Sequence, residues 1–381
     1  MATRVLIAGV SARGLAESAA RAGYEVVAVD GFGDLDLRAC AADVRVARVG
    51  GRFRARTAAA VAREVACDAV VYEASFDNHP DAVRELARAG RTLWGNPPAV
   101  LARVRDPLRL AGAIRAAGFP TPLVRRTKPP AALRATWLAK PLRSGGGEGV
   151  TPWRRGTPLA RGSYLQQRIG GVPGSIVFAA DGRHAAPLGL SRILAGERVF
   201  GADGFRYCGN ILLPAGDREL LARATGLAQA VTAAFGLVGV NGIDFVARRG
   251  VPYPIEVNPR YTAAMELVER AYGLSIFEIH AGACAGNLPA FDLARARRGA
   301  PGVIGKAILY ARVGATLGDT RAWLADPTVR DISPPGTRFA PRDPVCTVFA
   351  RGRDAAACLA ALARRAAALY RDLERCEPRI A

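Results

Sequence analysis

The sequence is nearly without lysine. Of its 53 basic residues only three are lysines, Lys128, Lys140 and Lys306, and arginine fills the other fifty positions. Histidine, with three residues, and methionine, with two, are as scarce. The seven cysteines stand singly, are odd in number and form no CxxC pair, which argues against a disulfide frame or a zinc site and for reduced thiols. No apolar run reaches the roughly 20 residues of a membrane span. The opening residues carry neither the basic nor the long apolar segment of an export signal. The expectation is a cytoplasmic chain with no membrane partner.

The formal net charge of +20 also lacks a pattern. Arginines such as Arg84, Arg88, Arg91 and Arg103 are scattered along helical stretches and form no basic tail. There is no aromatic interleaving, helix-turn-helix pattern or zinc-finger spacing, so sequence-specific nucleic-acid binding is not expected. A field of this sign does attract small anionic substrates.

Half of the 381 residues are apolar, enough for two or three domains with proper cores. The first stretch, "RVLIAGVSARGLAESAARAGYEVVAVD", reads as strand, turn, helix and strand. "DAVVYEA", the helical "NHPDAVRELARAG" and "TLWGN" continue the alternation up to Pro97 and Pro98, which implies an open parallel sheet over residues 1–97. Gly9, Ser11 and Gly14 approximate the dinucleotide fingerprint GxGxxG, but serine replaces the glycine that lets a pyrophosphate approach. Asp30 is either the matching ribose acid of a nicotinamide-dependent dehydrogenase or simply the end of a strand; the missing glycine favours the second reading. Beyond Pro98 the pattern is helical to Gly118. Short strands, a long helix over 217–235, further strands and one alanine-rich helix over 354–371 follow. The fold class is thus α/β and α+β, with boundaries expected at 1–97, 98–295 and 296–381.

"KPLRSGGGEGV" places Lys140 on a strand that leads into Ser144, Gly145, Gly146, Gly147 and, after Glu148, Gly149. Such a loop exposes backbone N–H groups that can cradle phosphate oxygens, and an ammonium adds a compact point charge. The order is not that of a Walker loop, because the lysine precedes the glycines. The alternative is a flexible hairpin loop; a lysine kept in an arginine-dominated chain favours the phosphate site.

"GIDFVARRGVPYPIEVN" reads as a hairpin. With Arg249, Gly250 and Val251 as its loop, Asp244 faces Glu256 across the ladder, with Cβ atoms about 5 Å apart. Asn258 shares their face. Two carboxylates and an amide oxygen suit a hard cation such as Mg²⁺ or Mn²⁺ that also binds phosphate. The alternative is that an arginine neutralises the pair.

The order "LAKP", "SGGGEGV", "YLQQRI", "GIDFV", "IEVNPR" resembles the ATP-grasp family over about residues 100–286. The resemblance implies ATP held between a glycine-loop lobe and a metal-binding lobe within 98–295, behind a Rossmann-like domain. It implies that Lys140 and the glycine loop cover the phosphates, that Gln166, Gln167 and Ile169 line the adenine pocket, and that Asp244, Glu256 and Asn258 hold Mg²⁺. Arg260 would meet the γ-phosphate or an acyl phosphate. The family's earlier lysine is missing: Asp106-Pro107 stands at its place, and Arg105 or Arg109 is the candidate replacement. A glutamate usual in the hinge strand is here Gln167. Within the family, the layout resembles carboxylate–amine ligases such as tyramine–glutamate ligase of methanofuran synthesis and the lysine-joining ligase of pyrrolysine synthesis. The implied activity is amide formation between a carboxylate, L-glutamate as best guess, and an amine, tyramine or tyrosine, through an acyl phosphate. The partners are then small molecules, and a homodimer is compatible with this layout. The rivals are a nucleotide- or nucleic-acid-binding module without chemistry, and the dehydrogenase.

Two further residues are ambiguous. His79 lies at the end of a parallel strand, where α/β sheets place ligands, yet the neighbouring Asp77 and Asn78 could equally cap a helix. Lys306 could meet a substrate carboxylate or be a packed strand residue.

Overall fold

The computed structural model describes residues 2–88, 90–130 and 133–376. Strands β1 (Arg4–Ala8), β2 (Glu25–Asp30), β3 (Asp43–Val46), β4 (Ala69–Tyr72) and β5 (Thr92–Trp94) form a parallel sheet in the order β3-β2-β1-β4-β5. Alternate side chains serve two cores: Val5, Ile7, Ala28 and Val71 face one way, and Leu6, Ala8, Val29 and Tyr72 the other. Helix α1 (Arg13–Arg21) covers the first face and α2 (Pro80–Leu86) the second. Burial on both faces explains why these strands read as continuous apolar runs.

Asp30 ends β2 as a backbone clasp. Its buried carboxylate accepts from the N–H groups of Ala12, Phe32 and Gly33 at 2.6–2.7 Å. These three backbone bonds account for the Asp30 carboxylate as the end of the strand and support that reading.

The helical stretch after Pro98 is two helices, not one: α3 (Pro98–Val104) and α4 (Pro107–Ala116). Pro107 has no N–H to continue the first ladder, and Asp106 caps the second helix by accepting from Leu108 and Arg109 N–H. Arg105 sits in the break, which frees its side chain from either helix surface.

A small antiparallel sheet follows, from β6 (Val124–Arg125), β7 (Trp137–Pro141), β8 (Thr151–Trp153) and β9 (Ser163–Gln167), in the order β8-β7-β9-β6. The largest sheet has eight strands: β10 (Val172–Asp181), β11 (Ala185–Ala195), β12 (Tyr207–Leu212), β13 (Val238–Arg248), β14 (Val251–Asn258), β15 (Val303–Tyr310), β16 (Val329–Arg330) and β17 (Pro344–Gly352). They are ordered β14-β13-β10-β11-β12-β15-β17-β16. Helix α5 (Arg218–Phe235) packs Leu220, Leu227 and Val231 against Phe178 and Phe245 on one face. On the other face α6 (Ala263–Tyr272) buries Met265 and Val268 against Val177 and Val240, in the core that also holds Val5 and Ile7 of the parallel sheet. Helix α7 (Ala355–Cys376) covers β15 and β17. Among the described residues no helix is long and apolar enough to cross a membrane.

A buried ion cluster ties these parts together. Arg13 of α1 grips Glu266 of α6 with two nitrogens at 2.6 and 3.0 Å and reaches Asp331 at 2.9 Å. Lys306 of β15 donates to the second Glu266 oxygen at 2.7 Å and lies over the Phe349 ring. Lys306 is thus a packed residue bonded to Glu266. Burial opposes ionisation of Glu266, but Arg13 and Lys306 outweigh it and hold its pKa well below the usual value. Because the folded pKa is depressed, this contribution to stability is present above the ordinary glutamate range and is lost as pH falls below it. Glu266→Gln strands the buried Lys306 and takes one of Arg13's carboxylates, and should cost about 3–5 kcal/mol. Chemical denaturation at pH 7 checks this, and the difference from the parent should shrink towards pH 3.

Candidate active site

The hairpin of β13 and β14 does oppose Asp244 to Glu256 and Gly242 to Asn258. Its turn is shorter than expected. Arg249 and Gly250 alone form the loop, with φ of 53° and 76°, and Arg248 pairs with Val251. That register by itself would leave Asp244 one residue away from Glu256. A β-bulge at Ile255, between the pairs Phe245–Pro254 and Asp244–Glu256, restores the opposition. The Ile255 carbonyl accepts from Lys140 Nζ at 3.4 Å and from Gln166 Nε2 at 3.1 Å, and Lys140 also donates to Gln166 Oε1 at 3.2 Å. The bulge thus restores the acidic pair and also docks the small sheet's lysine beside it.

The two carboxyls do not share one environment. Burial and the Glu256 charge push the Asp244 pKa up to about 6, against hydrogen bonds from Ser175 and from Asn258 Nδ2 at 3.0 Å. Burial also opposes ionisation of Glu256, but Arg105 and Lys140 outweigh it and lower its pKa. Arg105 Nη1 lies 2.5 Å from Glu256 Oε1, so an arginine does neutralise one member of the pair. Asp244 has no such ion-pair partner among the described residues. Among the described residues no group of three or more His, Cys, Asp or Glu could hold a metal. Two carboxylates and the Asn258 amide still fit Mg²⁺ or Mn²⁺, which keeps waters and phosphate oxygens as its other ligands. A divalent cation there would relieve the repulsion that raises Asp244.

The glycine loop is pinned rather than free. Gly146, Gly147 and Gly149 have φ of 60°, 76° and 71°, a run that only glycine adopts without strain. Tyr207 N–H donates to the Gly146 carbonyl at 2.9 Å. The Ser144 carbonyl accepts from Asn78 Nδ2 at 3.2 Å and Arg105 Nη2 at 3.3 Å. Arg105 therefore joins the loop, the acidic pair and, through Asn78, the end of β4. Arg109 is exposed. The break before Pro107 was the sequence signal that could have chosen between them.

Around this core stand the other expected residues. Gln166 is buried on β9; Gln167 Oε1 accepts from Leu123 N–H at 3.2 Å; Ile169 is half-buried just past the strand end. Arg260 donates to Asn258 Oδ1 at 3.1 Å and to the Tyr261 carbonyl at 2.9 Å. Its Nε lies 3.2 Å from Asp77, whose carboxylate is fully buried and also 3.8 Å from Arg105. Asp77, weighed only as a helix cap, instead holds two arginines; neither it nor Asn78 caps α2. His79 precedes α2 with a buried Nδ1 that has no hydrogen-bond partner, and burial and Arg143 lower its pKa. Lys306, bonded to Glu266, joins none of these groups.

Residues 104–264 match the ATP-grasp domain family. No curated protein matches the sequence. The fold is similar to N5-carboxyaminoimidazole ribonucleotide synthetase from Thermotoga maritima (16% identity, TM-score 0.68, 96% of this chain and 98% of that one). It is similar to L-amino acid ligase from Bacillus licheniformis (15% identity, TM-score 0.67, 99% and 98%). Pyruvate carboxylase of Rhizobium etli also matches (15% identity, TM-score 0.71), 97% of this chain covering 37% of that much longer one. At these identities the likeness is one of fold. Residues 104–264 thus form an ATP-grasp domain, and ATP with Mg²⁺ or Mn²⁺ is what such a domain takes.

The loop's anchoring is testable by itself. A Cβ on Gly147 would lie 1.9 Å from the Phe205 carbonyl oxygen, whereas one on Gly145 would meet nothing within 4 Å. Gly147→Ala should therefore speed amide hydrogen exchange across residues 144–150, and Gly145→Ala should leave it near the parent rate.

Proposed function

We propose that this ATP-grasp chain is an ADP-forming carboxylate–amine ligase whose acid substrate is L-glutamate and whose amine is tyramine or tyrosine. The observation that carries the ligase reading is the convergence of Lys140, the pinned glycine loop and the Asp244–Glu256–Asn258 set on one face of the bulged hairpin. In this reading Lys140 and the N–H groups from Ser144 to Gly149 hold the ATP phosphates. Gln166, Gln167 and Ile169 line the base pocket. Asp244, Glu256 and Asn258 hold Mg²⁺, and Arg105 takes the place of the family's earlier lysine. Mg²⁺-ATP supplies the phosphoryl group that makes the carboxylate an acyl phosphate. Arg260, fixed by Asp77 and Asn258, neutralises the charge that develops there. Catalysis is then positioning and charge neutralisation, with no covalent work by the protein.

The substrates rest on thinner support. Arginine forks at Arg260 and Arg105 suit an acidic amino acid, and the resemblance to tyramine–glutamate ligase names the pair, which would serve a methanofuran-type one-carbon cofactor. His79 and the ends of the parallel strands would border the amine. The six free cysteines of the described residues accord with a cytosolic setting.

ADP release with glutamate plus tyramine or tyrosine, against alanine or lysine in place of glutamate, tests the pair. Amide formed only from another acid and amine would leave the ligase and remove these substrates.

Two substitutions test the site. Lys140→Ala should raise the KM for ATP and cut turnover at least about tenfold, the effect of losing roughly 1.4 kcal/mol of phosphate contact. Lys140→Arg should restore part of it, because a planar fork does not replace a point donor. Glu256→Gln should abolish Mg-ATP turnover with the fold intact. If thermal stability falls while turnover survives at saturating Mg²⁺, Glu256 serves only Arg105.

A further inference from the structure

In the parallel sheet, connections run from β1 outward to β2 and β3 on one side and to β4 and β5 on the other. The crevice between the carboxyl ends of β1 and β4 is therefore the sheet's switch point, where such sheets take ligands. Gly9 follows β1 and Glu73 follows β4. Ala8 pairs with Tyr72, and a Cβ on Gly9 would lie 2.6 Å from the Glu73 Cβ. The absent side chain at Gly9 is what lets Glu73 occupy the crevice.

Glu73 is buried, at 5% exposure, and its Oε1 has no hydrogen-bond partner. The Tyr261 hydroxyl is likewise buried without a partner, and it lies against Gly14 of the same turn. Among the described residues no arginine is hydrogen-bonded to this carboxyl, in a chain that has fifty of them. The charges acting on it are Arg260, Asp30, Arg13 and Asp331. Arg260 is committed to Asp77, Asn258 and the Tyr261 carbonyl. Arg13 is committed to Glu266 and Asp331, and Asp30 to three backbone N–H groups. Burial raises the Glu73 pKa to about 8, so the group stands mostly neutral at pH 7. A buried acid without a counter-ion is costly to ionise unless a cation arrives. Arg260, whose charge acts on Glu73, also donates to Asn258 on the metal side and so links the two places.

We propose that Glu73 receives the amine substrate: its carboxylate binds the incoming ammonium and takes a proton from it, beside the activated carboxylate at Arg260. The proposal rests on the ligase reading above. As the ammonium arrives, the neutral Glu73 releases its own proton to solvent, and the resulting carboxylate takes one proton from the ammonium. The nitrogen lone pair then forms the C–N bond as the C–O bond to phosphate breaks. The second N–H proton leaves with the phosphate, giving amide and hydrogen phosphate, and Glu73 is left protonated as it began. The Tyr261 hydroxyl supplies a polar contact on the opposite wall. The class of ligand is a primary amine, charged in solution and neutral when it reacts.

Hydroxylamine is uncharged at neutral pH and needs no base, so it traps an acyl phosphate as hydroxamate without Glu73. The full chain is given ATP, Mg²⁺ and a panel of the common amino acids. One arm adds hydroxylamine and the other tyramine with pooled primary amines, and products are read by mass spectrometry. For Glu73→Gln the ratio of amide to hydroxamate should fall about 100-fold or more, the usual worth of a positioned base. Gly9→Ala, which displaces Glu73, should move the ratio the same way. Removing a buried ionisable acid should leave the melting temperature unchanged or higher at pH 8, which keeps a folding defect separate from the chemistry. An unchanged ratio overturns the proposal, as does equal loss of both products. If the parent protein itself yields no hydroxamate with any acid, the ligase reading fails, and the role of Glu73 with it.

Discussion

The site is organised around one unfavourable contact, the opposition of Asp244 and Glu256 across a hairpin. Two carboxylates facing each other destabilise a ladder, and the neighbouring groups answer that repulsion asymmetrically. Glu256 receives Arg105 and the field of Lys140; Asp244 receives the dipoles of Ser175 and Asn258 and, more weakly, the field of Arg260. The cationic groups are in turn fixed from elsewhere: Arg105 by Asn78 and the glycine loop, Arg260 by Asp77. Elements from all three main sheets thus converge because a like-charged pair needs them. One of its members remains underserved, and that deficit is what suits the place to a divalent cation.

Where the chain keeps a lysine instead of an arginine, geometry gives the reason. Lys306 fits between a carboxylate and a ring in a buried row, where a flat fork would have five donors to satisfy and only Glu266 to take them. Lys140 reaches a single carbonyl and a single amide oxygen beside the acidic pair. Arginine, by contrast, appears where several acceptors surround one side chain. Arg13 serves Glu266 and Asp331, and Arg105 serves Glu256, Asn78 and two backbone carbonyls.

Much of this was legible in the sequence, for reasons of periodicity. Continuous apolar runs gave the parallel sheet, and strand alternation put Asp244, Glu256 and Asn258 on one face. The acidic opposition came out correctly although the turn did not, because a two-residue loop and a one-residue bulge compensate each other. What stayed hidden depends on contacts between distant segments. Arg105 and Arg109 are both arginines near a helix start, and only the break before Pro107 separates them. Asp77 looked like a cap because its arginine partners lie 28 and 183 positions away. Glu73 carries no motif at all; only the closeness of β1 and β4 shows that the glycine at position 9 makes room for it.

The bulge at Ile255 also sets rules for how this hairpin can change length over evolution. Outside the bulge the two strands can gain or lose residues in matched pairs, one on each strand, and the turn simply moves outward. A lone insertion or deletion between Asp244 and Glu256 is different in kind. It would turn one carboxylate to the opposite face of the sheet, towards the core packed by α5, and leave the other alone with Lys140. Length drift in this region is therefore quantised. Steps of two residues are neutral for the acidic pair, whereas a step of one must be cancelled by another before the site exists again.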